Sequence, residues 1–220
     1  FNFTKNLYIY NNIYIYIYMS EHKIIKNNSE NLIICFGGMG LQMGGILPFE
    51  FLNYLSKTFK KNTDLYFYID KKQCWYHKGI DGITNNIDDT VLYLNSIIKK
   101  SNYKKILFMG VSAGGYASIL FGSLCNVSSV IAFIPRTKLI NPINEKYGDL
   151  KLIVNNQIDY ILYGDKTFKN ENDNHHISQC NNFKCFQNVK IIYHNGLNMK
   201  ALRDNGTIKK NIENILINYL

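Results

Sequence analysis

Segment 105–125 restricts the fold more than any other part of the chain: KILFMG, then VSAGG, then YASILFGSLC. A continuously apolar run of strand length stops at Gly110. Ser112 follows, and Gly114 and Gly115 open an apolar stretch of helical length. A serine held on so tight a strand-to-helix bend sits in a sparsely populated backbone region. The positions two before and two after it must therefore be nearly free of side chain. Gly110 and Gly114 meet that requirement, and Gly115 lets the following helix pack closely. A Gly-x-Ser-x-Gly pattern between strand and helix presents its serine as a candidate nucleophile.

The rest of the chain alternates in the same way. Residues 31–36 form a short, continuously apolar strand of the kind buried on both faces of a parallel sheet, ending at Gly37-Gly38-Met39-Gly40. Positions 49–59 have helical spacing, 64–69 are a strand ending at Asp70, and 88–100 are again helical. Residues 129–134 make a strand closed by Pro135, and 147–156 read as a helix. Strands at 159–163 and 189–193 follow, the second running into His194-Asn195-Gly196. The chain closes on a helix with Thr207 as its N-cap. This alternation predicts the α/β class, with a doubly wound, mostly parallel sheet in one domain over 1–220. Within the N-terminal region 1–28, residues 7–19 alternate aromatic and aliphatic side chains about Asn11-Asn12. That predicts a strand or a β-hairpin with an Asn turn.

Composition narrows the partners. With 46% hydrophobic and 19% charged residues over 220 positions, the chain is globular rather than disordered. Its net charge of +9 comes from scattered lysine pairs such as Lys60-Lys61 and Lys99-Lys100, without an aromatic-interleaved basic stripe, so nucleic acid is not an expected partner. Five cysteines, odd in number and without a C-x-x-C, point to a reducing, cytoplasmic setting. No apolar run is long enough to span a bilayer, so no integral membrane contact is expected. The chain begins at Phe1 rather than at a methionine, which leaves room for an upstream segment.

In such a sheet, function gathers at the carboxyl ends of the strands, where the sequence puts Gly37-Gly38, Asp70, Ser112, Pro135-Arg136, Asp165 and His194. A serine hydroxyl needs a base to take its proton. His194, just past the last strand, is the first choice, with His176 second. Asp165 and Asp173 compete as the acid that orients it. An oxyanion hole is expected from the N–H of Ala113 and one N–H of the Phe36-Gly37-Gly38 turn. Trp75 and Tyr76 are candidate walls of a substrate pocket or, equally, a plug that packs their loop onto the core, and Arg136 is a candidate contact for an anionic acceptor.

The order Ser, Asp, His at these places resembles the α/β-hydrolase superfamily, from about residue 31 to the C-terminus. FGG, Asp70 with Trp75-Tyr76 and Gly79, GVSAGGYASILFG and FIPRT narrow the likeness. Together they resemble small hydrolase-like proteins of capsule and surface-glycan biosynthesis. In that set a Pro-x-Thr motif follows the elbow (here Pro135-Arg136-Thr137), then an Asp-x-x-His (Asp173 to His176). A His about a dozen residues before a Gly comes last (His194 to Gly206). The resemblance implies a serine esterase working through an acyl-enzyme, with Ser112, His194 and Asp173, the last preferred over Asp165. It equally implies an O-acyltransferase moving an acetyl group to a glycan hydroxyl. The substrate is then a small-molecule or glycan ester. No resident cofactor is expected, only an acyl donor such as acetyl-CoA for the transferase. A catalytically silent binding module is the third reading. His175, His176, Cys180 and Cys185 match no zinc spacing, so no metal is expected.

Overall fold

The computed structural model describes residues 6–10, 13–17, 22–40 and 49–217. Strands β1 (Asn6–Tyr10) and β2 (Ile13–Ile17) pair antiparallel as a two-stranded sheet, with Asn6 opposite Ile17. The Asn turn predicted between them lies outside the described residues.

The main sheet has seven strands in the order β3-β5-β4-β6-β7-β8-β9. They are β3 (His22–Ile25), β4 (Asn31–Phe36), β5 (Asp64–Tyr68), β6 (Lys105–Val111), β7 (Ser129–Phe133), β8 (Asp159–Asp165) and β9 (Val189–His194). All pairs are parallel except β3 with β5. Edge strand β3 has no counterpart in the sequence reading; its four residues are too short and too polar to show a period.

The helices are α1 (Leu52–Thr58), α2 (Ile87–Lys100), α3 (Ala113–Cys125), α4 (Ser178–Asn181), α5 (Met199–Asp204) and α6 (Thr207–Ile217). Each central strand feeds two cores, because successive side chains point to opposite faces. Ile106 and Phe108 of β6 join Tyr116, Leu120 and Phe121 of α3 on one face. Leu107 and Met109 join Leu55, Phe133, Ile208 and Ile212 on the other. Each such side chain, when fully buried, contributes about 1.5–3 kcal/mol, so the central strands are firmly anchored on both faces. Helix α2 begins where the Asn86 side chain accepts from the Asp89 N–H, with Asp88 and Asp89 in its first turn and Lys99 and Lys100 in its last. Both placements favour the helix dipole.

The helix predicted over 147–156 is replaced by two 3₁₀ turns, Glu145–Tyr147 and Leu150–Ile153. Gly148 separates them. The side chains of Asn144 and Asp149 each accept the N–H two residues on, a local bond that competes with helix propagation. Among the described residues no helix is long and apolar enough to cross a membrane.

Candidate active site

Ser112 stands between β6 and α3 with φ 55° and ψ −114°, a strained position for a residue with a side chain. Its N–H donates to Phe133 O of β7 (2.9 Å), and its carbonyl accepts the Tyr116 N–H (3.0 Å), so the bend is tied to both neighbours. The glycines around it are needed for space. A Cβ on Gly114 would lie 2.0 Å from Phe36 O, and one on Gly110 2.4 Å from Gly114 C and 2.6 Å from Phe36 O. The start of α3 thus rests directly on the backbone where β4 ends.

Ser112 Oγ lies 2.8 Å from Nε2 of His175. His175 comes from the segment after β8, where Asn170 and Asp173 build successive turns. Asp173 N–H donates to Asn170 O, His176 N–H donates to Asp173 O, and His175 N–H donates to Asp173 Oδ1 (2.8 Å). The same Oδ1 is 3.9 Å from His175 Nδ1. The ring packs against Phe168, and its side chain is 28% exposed. Burial holds the imidazole below its ordinary pKa, the Asp173 carboxylate pulls it up, and the Arg136 cation pushes it down. With Nδ1 protonated toward Asp173, Nε2 is free to accept the serine proton.

The predicted base, His194, is placed elsewhere. The β8–β9 ladder continues one residue beyond the apolar run, pairing His194 with Asp165, and His194 O accepts the Lys166 N–H. Strand parity then turns the ring onto Tyr163, stacked at 5.8 Å between centroids, and leaves Nε2 buried without a partner among the described residues. His176, the second choice, bonds Ser178. The histidine on the serine is the neighbour of that second choice.

Asp165 is equally committed to structure. Its carboxylate accepts the N–H and hydroxyl of Thr167 and the N–H groups of Gly196 and Leu197. Burial works against ionisation, but these donors outweigh it and hold the carboxyl at about 2. Asp70 does similar work for the tryptophan loop, accepting from the N–H groups of Cys74 and Tyr76.

That loop carries Trp75 and Tyr76, both at φ 60°. Tyr76 is fully buried and cannot line a pocket. Its hydroxyl donates to Gly37 O (3.0 Å) and lies 3.2 Å from Tyr68 O, bracing the glycine turn from below. Trp75 is half-buried, edge-on to Tyr116 at 5.7 Å and 5.8 Å from the Arg136 guanidinium. His77 accepts the Asn144 N–H at Nδ1, so Nε2 carries the proton given to Tyr116, whose hydroxyl donates to Tyr147 O. Burial lowers the His77 pKa and keeps that ring neutral.

The Gly37 N–H donates to Tyr68 O (2.8 Å), so it is not available as an anion donor. Gly38, with Val111 O 3.4 Å from its Cβ position, lies next to the elbow strand. Beneath it is Glu50, whose Oε1 is 3.6 Å from that Cβ position and whose Oε2 is buried without a partner among the described residues. Burial pushes this carboxyl up to about 7 although Arg203 pulls it down. No motif in the sequence singles Glu50 out.

The Pro135-Arg136-Thr137 turn is fastened to the segment that bears His175. Thr137 N–H and Lys138 N–H donate to Gln179 Oε1, and the Thr137 hydroxyl donates to Gln179 O (2.6 Å). Gln179, on α4, escaped the sequence reading because a lone glutamine carries no pattern. Ile134, at φ 39°, joins Ser112, Trp75 and Tyr76 among the non-glycine residues at positive φ. Among the described residues no group of three His, Cys, Asp or Glu could hold a metal ion.

No protein-family model and no curated protein matches the sequence. Solved structures do match the fold. The capsule O-acetyltransferase of Neisseria meningitidis serogroup A is 13% identical with a TM-score of 0.60, over 93% of this chain and 96% of that one. A mutant of that enzyme in complex with CoA is 14% identical, TM-score 0.60, over 91% and 94%. Est1E from Butyrivibrio proteoclasticus with ferulic acid bound is 13% identical, TM-score 0.58, over 88% and 94%. The chain has the α/β-hydrolase fold, shared with esterases and with a capsule O-acetyltransferase.

Proposed function

We propose that the chain is a serine-dependent acyl-handling enzyme in which Ser112 is the nucleophile and His175 its base. The observation that carries this is the 2.8 Å contact between Ser112 Oγ and His175 Nε2, on a strained elbow. Asp173 serves as the orienting carboxylate. It holds the His175 backbone directly and faces Nδ1 at longer range. In the first half-reaction His175 takes the hydroxyl proton as Ser112 Oγ bonds to the carbonyl carbon of an ester or thioester. The collapsing tetrahedral oxyanion then expels the alcohol or thiol, which leaves with the proton from His175. In the second, His175 takes a proton from water or a hydroxyl acceptor, whose oxygen attacks the acyl-enzyme. The proton returns to Ser112 as the acyl–Oγ bond breaks.

The N–H groups of Gly38 and Ala113 are the proposed oxyanion donors, each worth about 3 kcal/mol in the transition state. Ala113 is the first residue of α3 and has no preceding turn to bond. Likeness to esterases supports hydrolysis. Likeness to the capsule O-acetyltransferase, in one case with CoA, supports the second reading: acetyl transfer to a glycan hydroxyl from a donor such as acetyl-CoA. A fluorophosphonate probe should label Ser112 in the native protein, and S112A should abolish labelling. Absence of labelling on folded protein rejects the nucleophile. Product analysis with an activated acetyl ester, with and without a sugar acceptor, separates hydrolysis from transfer.

A further inference from the structure

Arg136 is only 6% exposed, yet it makes no ion pair among the described residues. Its Nε donates to Lys138 O (3.1 Å), while its two terminal nitrogens have no hydrogen-bond partner among the described residues and are not sealed from solvent. Buried arginines are ordinarily paired, since the guanidinium has five donors and loses much of its hydration. Among the described residues the carboxylate whose charge bears on it is Asp173, which also accepts the His175 N–H. The Trp75 ring lies over the guanidinium at 5.8 Å and limits where a ligand can approach. His175, in contact with Ser112, registers the same positive charge. Gln179 fixes the turn by four hydrogen bonds with Thr137 and Lys138, so the arginine sits on a held backbone.

We propose that the substrate carries a carboxylate or phosphate close to its reactive ester, and that Arg136 takes this group through its two free terminal nitrogens. This rests on Ser112 being the acylated residue. Guanidinium is suited to the task because its planar fork meets both oxygens of such a group at once, where lysine offers a single point charge. Arg136 then acts in specificity: it selects anionic esters over neutral ones of the same shape.

The test compares matched ester pairs. The carboxylate is on the alcohol side in 4-acetoxybenzoate against its methyl ester, and on the acyl side in 4-nitrophenyl hemisuccinate against the butyrate. The native enzyme should prefer the anionic member of at least one pair, and which pair responds tells whether the charge belongs to the acyl group or to the alcohol. In R136M the anionic-to-neutral ratio of kcat/KM should fall about 30-fold, with R136K intermediate. A second readout needs neither turnover nor a variant. Trp75 is the sole tryptophan, so saturating quenching or enhancement of its fluorescence by inorganic phosphate or benzoate, against chloride at equal ionic strength, reports anion arrival. A native protein with no anionic preference and no saturable response overturns the inference, as does an R136M ratio within threefold of native. If Ser112 is neither labelled nor turns over ester while Trp75 still responds to anions, the acyl-enzyme reading fails and the anion site stands.

Discussion

The paired ends of β8 and β9 and the segment that leaves β8 lie at the same end of the sheet, and each place has a histidine close to an aspartate. They differ in how much of that polar capacity the backbone consumes. At the end of β9, His194 is held in the ladder and stacked on Tyr163, and Asp165 accepts four donors from the two segments. In the segment after β8, Asp173 accepts one backbone N–H through its side chain, and His175 spends Nε2 on Ser112. The first arrangement closes a fold, and the second leaves a ring nitrogen on the Ser112 hydroxyl. Proximity to a strand end, which the two share, does not by itself separate them.

Exchanging the histidines gives the sharpest way to break this contrast. H175Q should slow acylation of Ser112 by about 10³-fold or more, measured as the rate of fluorophosphonate labelling or ester turnover. H194F should leave that rate within about threefold, because the residue touches no reacting atom. It should also leave the melting temperature unchanged or raised, since phenylalanine keeps the stacking and removes a buried nitrogen that has no partner among the described residues. The opposite pattern would return the base to His194.

The aspartates should separate next. D173N should cost about 10- to 100-fold in turnover, less than the roughly 10⁴ seen where the acid bonds the imidazole directly, because Oδ1 stands 3.9 Å from Nδ1. D165N should instead destabilise by about 2 kcal/mol at pH 7, read by denaturant unfolding. Its folded carboxyl is held at about 2, below the unfolded value of about 3.9, so that stability is present above about pH 4. It is lost as pH falls toward 2, and the penalty of D165N should shrink over that window.

The smallest effect is the most diagnostic of the site's electrostatics. A general base must be neutral, so activity should rise with pH through a limb set by His175, centred below the ordinary histidine value because burial dominates. Removing the Asp173 charge in D173N should move that limb to lower pH. Removing the Arg136 charge in R136M should move it to higher pH. Shifts in the same direction would contradict the placement of the two charges about the ring.

The parts of the fold set by local physics were legible in the sequence. Continuous apolar runs marked β4 through β9, and the glycine pattern marked the elbow, because a Cβ at Gly110 or Gly114 meets backbone whatever the rest of the chain does. The histidine that contacts Ser112 was not legible. An apolar run shows where a strand is buried but not how far its ladder extends, and the one extra pair, Asp165 with His194, turns that ring away. His175 belongs to a polar segment whose path depends on Gln179 reaching Thr137 across 42 positions, a contact without periodicity. For Tyr76 an aromatic side chain in a loop is compatible with a pocket wall or with a plug on the core, and the structure shows it fully buried with its hydroxyl supporting Gly37.

Because the start of α3 touches the exit of β4 with no side chain between them, the proposed anion donors and Ser112 are set by the same backbone contact. Changes in the outer segments cannot widen or narrow that gap without dislodging a central strand. Selectivity in this chain is therefore free to drift only through the surrounding wall, at positions such as Trp75 and Arg136, while the reacting centre keeps its spacing. Attempts to redirect the proposed activity should begin at that wall.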